Sequence, residues 1–148
     1  MERYVMGATE ARENFSVFLD NAESRPSFIN RRRSTFIVMP DSFFELLVPK
    51  KIKIIIEHDE EAEKNTDKYD GAYFAYGDVF DDIIGWGNTK EEAVASFKDN
   101  LIEFCTAFYE NFSVYAAAPN RKAQILYVIK IVNHIGRGGE LSDIISSR

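Results

Sequence analysis

Cysteine, histidine and proline are scarce in this chain, and the scarcity excludes several classes of protein. Among 148 residues there are one cysteine, two histidines and four prolines. A single cysteine, Cys105, can form neither an internal disulfide nor a cysteine-rich zinc site, and two histidines do not favour a structural metal. We therefore expect no metal and no cofactor, and a reducing, cytoplasmic location.

Long apolar runs are missing as well. No segment approaches the roughly 18 apolar residues that cross a membrane, and residues 1–5 have no apolar core of the signal-peptide kind. We therefore expect neither membrane insertion nor export. With 45% hydrophobic and 28% charged residues, the composition is that of a folded globular protein.

The net charge of −6 is distributed unevenly. Residues 1–50 hold seven basic and seven acidic side chains, residues 51–115 hold six and fifteen, and residues 116–148 hold five and two. Binding of nucleic acid along the whole chain is disfavoured, because phosphate contacts require an excess of cations. A neutral first third with clustered arginines beside an acidic middle indicates two separate tasks.

A first domain is predicted over residues 1–49, beginning with a short strand at residues 3–5. Thr9 is a good N-cap for a helix that runs to about Glu23. Its apolar residues recur on one helical face; they are Ala11, Phe15, Phe18, Leu19 and Ala22.

A hairpin and a second helix complete this domain. Two β-rich runs, 27–29 and 35–38, flank the polar connection 30–34. Ser42 and Glu45 then give the capping-box pattern of a short apolar helix. So small a unit buries little core, and its phenylalanines must face another surface, either a dimer partner or a second domain.

A second domain is predicted over residues 50–148. Alternation at Ile52, Ile54 and Ile56 predicts a strand, residues 58–70 an acidic loop, and residues 72–76 and 83–86 two more strands. A capping box at Thr89 and Glu92 opens a long helix, with further helices over 125–136 and 140–146. The fold class is α+β, with a three-stranded sheet, a long helix and C-terminal helices.

Few residues qualify as catalytic. Cys105 lies on an apolar helical face as a structural thiol, and neither histidine has a serine or cysteine partner in a recognisable arrangement. Acidic clusters at 59–61 and 78–82 could hold a metal in a nuclease, for example through Asp59, Asp78 and Asp81. Because they lie in polar turns, a solvated acidic surface is the stronger interpretation.

The arginines are the sharper signal. Arg31, Arg32 and Arg33 lie at the hairpin tip, and Arg12 lies in the first turn of the predicted helix, where the helix dipole disfavours a cation. An ordinary soluble surface and a contact with DNA phosphates or guanine edges both fit these four residues.

These residues also resemble a known family. The stretch Ala8-Thr9-Glu10-Ala11-Arg12-Glu13-Asn14-Phe15, followed by Phe28-Ile29-Asn30-Arg31-Arg32 and Phe36-Ile37-Val38-Met39, resembles the N-terminal domain of the Phd/YefM antitoxins. The resemblance implies a homodimer that binds the operator of its own operon. It implies DNA contacts by Arg12 and Arg31, with Arg32 and Arg33 beside them. The dimer interface it implies contains Phe15, Phe18, Leu19, Phe28, Phe36 and Val38.

Residues 51–110 resemble a different antitoxin family. Gly71 and the helix start Gly87-Asn88-Thr89-Lys90-Glu91-Glu92-Ala93 are similar to the HicB pattern. That resemblance implies a partial RNase H-like layout without nuclease activity.

The two resemblances together predict a type II antitoxin that is not an enzyme. It would neutralise a small basic RelE-like ribonuclease by direct binding and repress its operon on operator DNA. The acidic middle of the chain suits a basic partner. Two rivals stay open, namely a small metal-dependent nuclease of RNase H-like fold and a protein-binding module whose arginines only aid solubility.

Overall fold

The structure, a computed structural model, describes residues 5–48, 51–64 and 71–147. The chain divides into two compact units, Met1–Pro49 and Lys50–Arg148. In the first unit, strand β1 (Val5–Gly7) pairs in parallel with β2 (Ser27–Arg31), which pairs antiparallel with β3 (Ser34–Val38). The predicted hairpin is confirmed. Residues 3 and 4 of the predicted first strand lie outside the described residues.

The predicted first helix is two helices, α1 (Ala8–Glu13) and α2 (Phe15–Ser24). The break lies at Asn14, whose φ of −119° and ψ of 38° are not helical. Its side-chain Nδ2 donates to the Glu10 carbonyl at 3.2 Å, in addition to the backbone N–H at 3.0 Å, and such local side-chain bonds compete with helical geometry. The spacing of apolar residues could not predict this break, because residues on both sides of it are buried as one continuous helix would bury them: Ala11, Phe18 and Ala22. The prediction that Thr9 is the N-cap was wrong, because α1 begins at Ala8 and Gly7 is its N-cap.

The second helix of this unit, α3 (Asp41–Leu47), is confirmed, but its predicted capping box is not. Pro40 is the N-cap and no side chain caps the helix; the Phe43 N–H instead donates to the Pro40 carbonyl at 3.1 Å. Ser42 lies inside the helix rather than before it, so its hydroxyl is not at the N-cap position.

The sheet of the second unit has four strands in the order β6-β5-β4-β7. They are β4 (Ile52–His58), β5 (Tyr73–Gly77), β6 (Ile84–Gly87) and β7 (Ile145–Ser147). Strand β7 lies where a helix was predicted, so the three-stranded sheet was wrong. Its pairing partner β4 is about ninety residues away, and such a contact is invisible to local periodicity. A 3₁₀ turn, Leu141–Asp143, leads into it.

Helix α4 (Glu60–Lys64) occupies part of the predicted acidic loop, of which residues 65–70 lie outside the described residues. The long helix α5 (Lys90–Glu110) starts as predicted. The Thr89 hydroxyl accepts the Glu92 N–H at 3.1 Å, and the Glu92 carboxylate accepts the Asn88 N–H at 2.8 Å.

Helix α5 lies against one face of the sheet, here called the inner face. A Cβ at Gly85 would be only 2.0 Å from the Phe97 backbone nitrogen, so glycine permits this close approach. Gly71 is needed for a different reason: its φ is +143° and a Cβ there would meet the Gly87 carbonyl at 2.2 Å. Phe97, Leu101 and Phe80 form the buried core between helix and sheet.

The C-terminal part adds helices to the same core. These are α6 (Phe112–Ala117), a 3₁₀ segment Pro119–Gln124, and α7 (Ile125–Gly136), which agrees with the prediction for 125–136. Val128 and Ile131 of α7 join the core cluster. Among the described ranges, no helix is long and apolar enough to cross a membrane.

Candidate functional site

Arg12 and Arg31, distant in sequence, line one open cleft of about 430 Å³ in the first unit. Ala8 and Thr9 complete its lining, and we call it the arginine cleft. The pairing of β1 with β2 forms it: Gly7 is opposite Asn30, so the start of α1 lies next to Arg31. Ala8 and Thr9 have small side chains, which leaves the cleft between these elements open.

Arg32 and Arg33 form the two-residue turn of the hairpin beside this cleft. Arg32 has φ of 56°, a left-handed conformation that favours glycine and costs an arginine roughly 1–2 kcal/mol. Behind the turn, the Thr35 hydroxyl donates to the Asn30 side-chain oxygen at 2.6 Å and ties the two strands together. All four predicted arginines are exposed.

The electrostatic argument for Arg12 needs correction. Because α1 has only six residues, Arg12 lies in its last turn and not in the first turn of a long helix. The helix dipole favours a cation at that end. Arg12 therefore gains from its position, and its presence requires no bound anion to compensate.

The predicted interface residues divide into three groups. Phe15, Leu19 and Phe36 are exposed, whereas Phe28 and Val38 are half-buried. Phe18 is only 3% exposed, so it already belongs to the core of a single chain. Phe15, Phe18 and Leu19 all belong to α2, and only Phe18 of the three is turned into the core.

Strand β3 carries the clearest apolar surface that no other part of the described chain covers. Neighbouring side chains of a strand point to opposite faces, yet Phe36 and Ile37 are 52% and 58% exposed. Both faces of β3 thus present apolar surface to solvent. The sequence did not lead us to predict that Ile37 and Val17 are exposed, or that Ala8 and Thr9 line the cleft. For Ile37 a signal was available, because alternation along residues 34–38 places it on the opposite face of the strand from Phe36.

The predicted acidic candidates cap backbone groups. The Asp59 carboxylate accepts the Glu61 N–H at 2.9 Å, and the Asp78 carboxylate accepts the Lys53 N–H at 3.2 Å. Within residues 5–48, 51–64 and 71–147, no three acidic, histidine or cysteine side chains are grouped as metal ligands. The geometry that the nuclease hypothesis needs is therefore not formed by the described residues.

The cysteine and the two histidines also make contacts that fit a structural role rather than a catalytic one. Burial raises the pKa of the Cys105 thiol from 9.0 to about 12, which leaves it without nucleophilic thiolate at neutral pH. The His134 Nε2 lies 2.9 Å from an Asp143 carboxylate oxygen and 3.0 Å from the Glu140 carbonyl, where it holds the turn before β7. The His58 ring packs on Tyr73 at 4.6 Å between centroids.

Comparison with known proteins gives one structural and one family relationship. A crystal structure from Syntrophomonas wolfei subsp. wolfei, described as an antitoxin part of a proposed toxin/antitoxin system, shares the fold with a TM-score of 0.69. The match covers 100% of this chain and 99% of that chain at 23% identity. No curated protein sequence matches the chain significantly.

The family model extends across both units. The PHD-like model, described as the antitoxin of RelE/RelB toxin–antitoxin systems, matches residues 1–141. The chain therefore belongs to the PHD-like family of antitoxins of toxin–antitoxin systems.

Proposed function

We propose that this antitoxin is a homodimeric autorepressor whose first unit binds operator DNA and whose second unit neutralises the toxin. The arginine cleft is the observation that carries the DNA-binding part. Residues 1–49 would be the Phd/YefM-like dimerisation and DNA-binding domain, and residues 50–148 the HicB-like toxin-binding domain. The role is regulatory and not enzymatic.

The arginine cleft suits a phosphate or a guanine edge. Arginine presents a planar fork of donors that matches both acceptors. The turn arginines extend the cationic surface, and Arg32 keeps its place there although its φ of 56° is unfavourable for an arginine. The first unit therefore presents a cluster of exposed positive charge.

The dimer follows from the apolar surface. Among its described residues, the first unit has few that are fully buried, and it exposes several large apolar side chains: Phe15, Leu19, Phe36 and Ile37. A second copy would cover these side chains by a symmetric contact. Two arginine clefts would then lie in one particle, which suits a palindromic operator.

The toxin-binding part rests on charge. Residues 51–115 hold fifteen acidic and six basic side chains. A RelE-like ribonuclease must attract RNA, so its surface is expected to be basic. Opposite charges accelerate encounter and favour this pair over neutral competitors.

DNA binding is tested by fluorescence anisotropy with the fragment upstream of the operon. We expect R12A/R31A to weaken binding at least about 30-fold, because each lost arginine contact costs about 1 kcal/mol or more. The dependence of affinity on salt concentration should also become shallower.

The matched control is K90A/K98A, which removes two cations from helix α5 in the second unit and leaves the cleft intact. Equal losses in both double variants would mean that net charge alone governs affinity. Unchanged binding by R12A/R31A would refute the site.

A further inference from the structure

The outer face of the second sheet, opposite α5, carries a continuous aromatic row. Alternation along the strands turns Ala75, Gly77 and Gly85 toward α5 and turns Phe74, Tyr76 and Trp86 away from it. The Phe74 ring lies 5.2 Å from Trp86 and 6.3 Å from Tyr76, between centroids. We call this surface, which also includes Ile84 and Ile55, the aromatic face.

The aromatic face is open to solvent. Trp86 and Ile84 keep 38% and 36% of their surface exposed, while every inner residue of β6 is buried. Tyr76 is half-buried, and tryptophan and tyrosine are among the residue types that most often dominate protein–protein binding energy. Phe74 packs against both other rings, so docking on this row requires less further ordering than docking on isolated side chains.

Carboxylates border the aromatic row. The Tyr76 hydroxyl donates to a Glu57 carboxylate oxygen at 3.0 Å, and that hydrogen bond, together with the negative charges of Glu57 and Asp81, raises the pKa of the Tyr76 phenol. Lys53 shares the face, two residues from Ile55 and beside Asp78. Ring faces flanked by carboxylates attract guanidinium and ammonium groups.

Strand addition at the β6 edge is disfavoured. The outward Trp86 N–H donates to the Ser96 hydroxyl at 3.2 Å, and the outward Ile84 carbonyl accepts from the Asn100 amide at 2.8 Å. Both side chains come from α5, so two of the backbone groups that would pair with an incoming strand are already occupied. A partner at this end of the sheet is therefore favoured to bind the face rather than the edge.

We propose that the aromatic face is the docking surface for the toxin, and that it receives a toxin segment carrying arginine or lysine side chains. This inference rests on the proposed function and adds the surface and the chemistry of the contact. Cationic side chains would lie over Trp86, Phe74 and Tyr76, with Glu57 and Asp81 as their charge partners.

Trp86 is the only tryptophan of the chain, which makes it a specific reporter. The full chain is labelled with fluorotryptophan and titrated with the purified, unlabelled product of the toxin reading frame beside its gene, while fluorine NMR records the single resonance. We expect the resonance to shift on binding. A resonance that stays in place while calorimetry shows binding would overturn the inference and leave the proposed function standing.

Variants give an independent test by calorimetry with the same toxin. We expect W86A to weaken binding at least tenfold, and Y109A, which removes an exposed aromatic ring from α5, to bind as the wild type does. Circular dichroism checks that each variant folds.

A second pair tests the charge without touching the rings. E57Q/D81N should weaken binding at low salt and lose this effect at high salt, whereas D99N/E103Q on α5 should not. If both pairs weaken binding equally, the aromatic face has no special role and the inference is overturned. If wild-type protein fails to bind this toxin at all, the proposed toxin-binding function itself is refuted.

Discussion

The two units solve the problem of burying apolar side chains in different ways. In the second unit, Phe80, Phe97 and Phe108 are completely buried around α5. In the first, Phe15 and Phe36 are more than half exposed, and the buried residues include two alanines. A unit of about fifty residues cannot enclose such side chains alone, whereas one of about a hundred residues can.

The difference indicates a division of labour. A unit whose core is closed is stable by itself and can present a fixed surface, here the aromatic face. A unit whose apolar residues remain open can be completed by association, so the arginines that we propose to bind DNA would be correctly paired only in the proposed dimer. Four variants test this comparison, from the largest expected effect to the smallest.

The largest effect is expected for Gly85→Ala, which attacks the closed core. The new Cβ would lie 2.0 Å from the Phe97 nitrogen and 2.4 Å from the Ala93 carbonyl oxygen, so α5 must move away from the sheet. We expect a loss of about 3 kcal/mol in the free energy of unfolding, measured in urea. Gly136→Ala, where a Cβ meets nothing within 4 Å, should stay within about 0.5 kcal/mol of the wild type.

Phe36→Glu attacks the open surface of the first unit. A buried charge at a central interface position should cost about 2 kcal/mol and raise the dimer dissociation constant about 30-fold. Analytical ultracentrifugation measures the change. Val114→Glu, at an exposed apolar position of the second unit, is the control; if both variants dimerise like the wild type, Phe36 is not in the interface.

Arg32→Gly separates stability from function in the hairpin. Glycine relieves the left-handed strain at φ of 56°, so we expect the free energy of unfolding to rise by about 1 kcal/mol while affinity for operator DNA falls. Arg33→Gly should instead destabilise by about 0.5 kcal/mol, because among the described non-glycine residues only Arg32 has a positive φ. Chemical denaturation distinguishes the two variants.

The smallest effect concerns the turn before β7. The hydrogen bond from His134 and the backbone hydrogen bond from Glu140 lower the pKa of Asp143 below its ordinary value of 3.8. The folded state therefore favours the carboxylate, and its stabilisation is present above pH 3.8 and is lost as the pH falls further. We expect Asp143→Asn to make acid unfolding, followed by circular dichroism, less steep in that range. An unchanged acid limb would show that the contact contributes nothing.

The sequence predicted a helix or turn correctly where the residues that stabilise it lie within a few positions of one another. The capping box at Thr89 and the turn residues between β2 and β3 act over three or four positions, and both features appear in the structure. The helix predicted over 140–146 failed because β7 is stabilised by pairing with β4, a contact from the other end of the unit.

The sequence predicted which residues belong to the candidate site, but it did not predict which of them lie close together. The sequence alone determined which residues could serve: an exposed arginine-rich turn, a phenylalanine-rich first unit and an acidic, aromatic second unit. Only the tertiary structure decided that Arg12 and Arg31 share a cleft and that Phe74, Tyr76 and Trp86 form one row. The physical reason is that side-chain chemistry is a property of each residue, whereas proximity depends on strand register, and register is fixed by packing across distant segments.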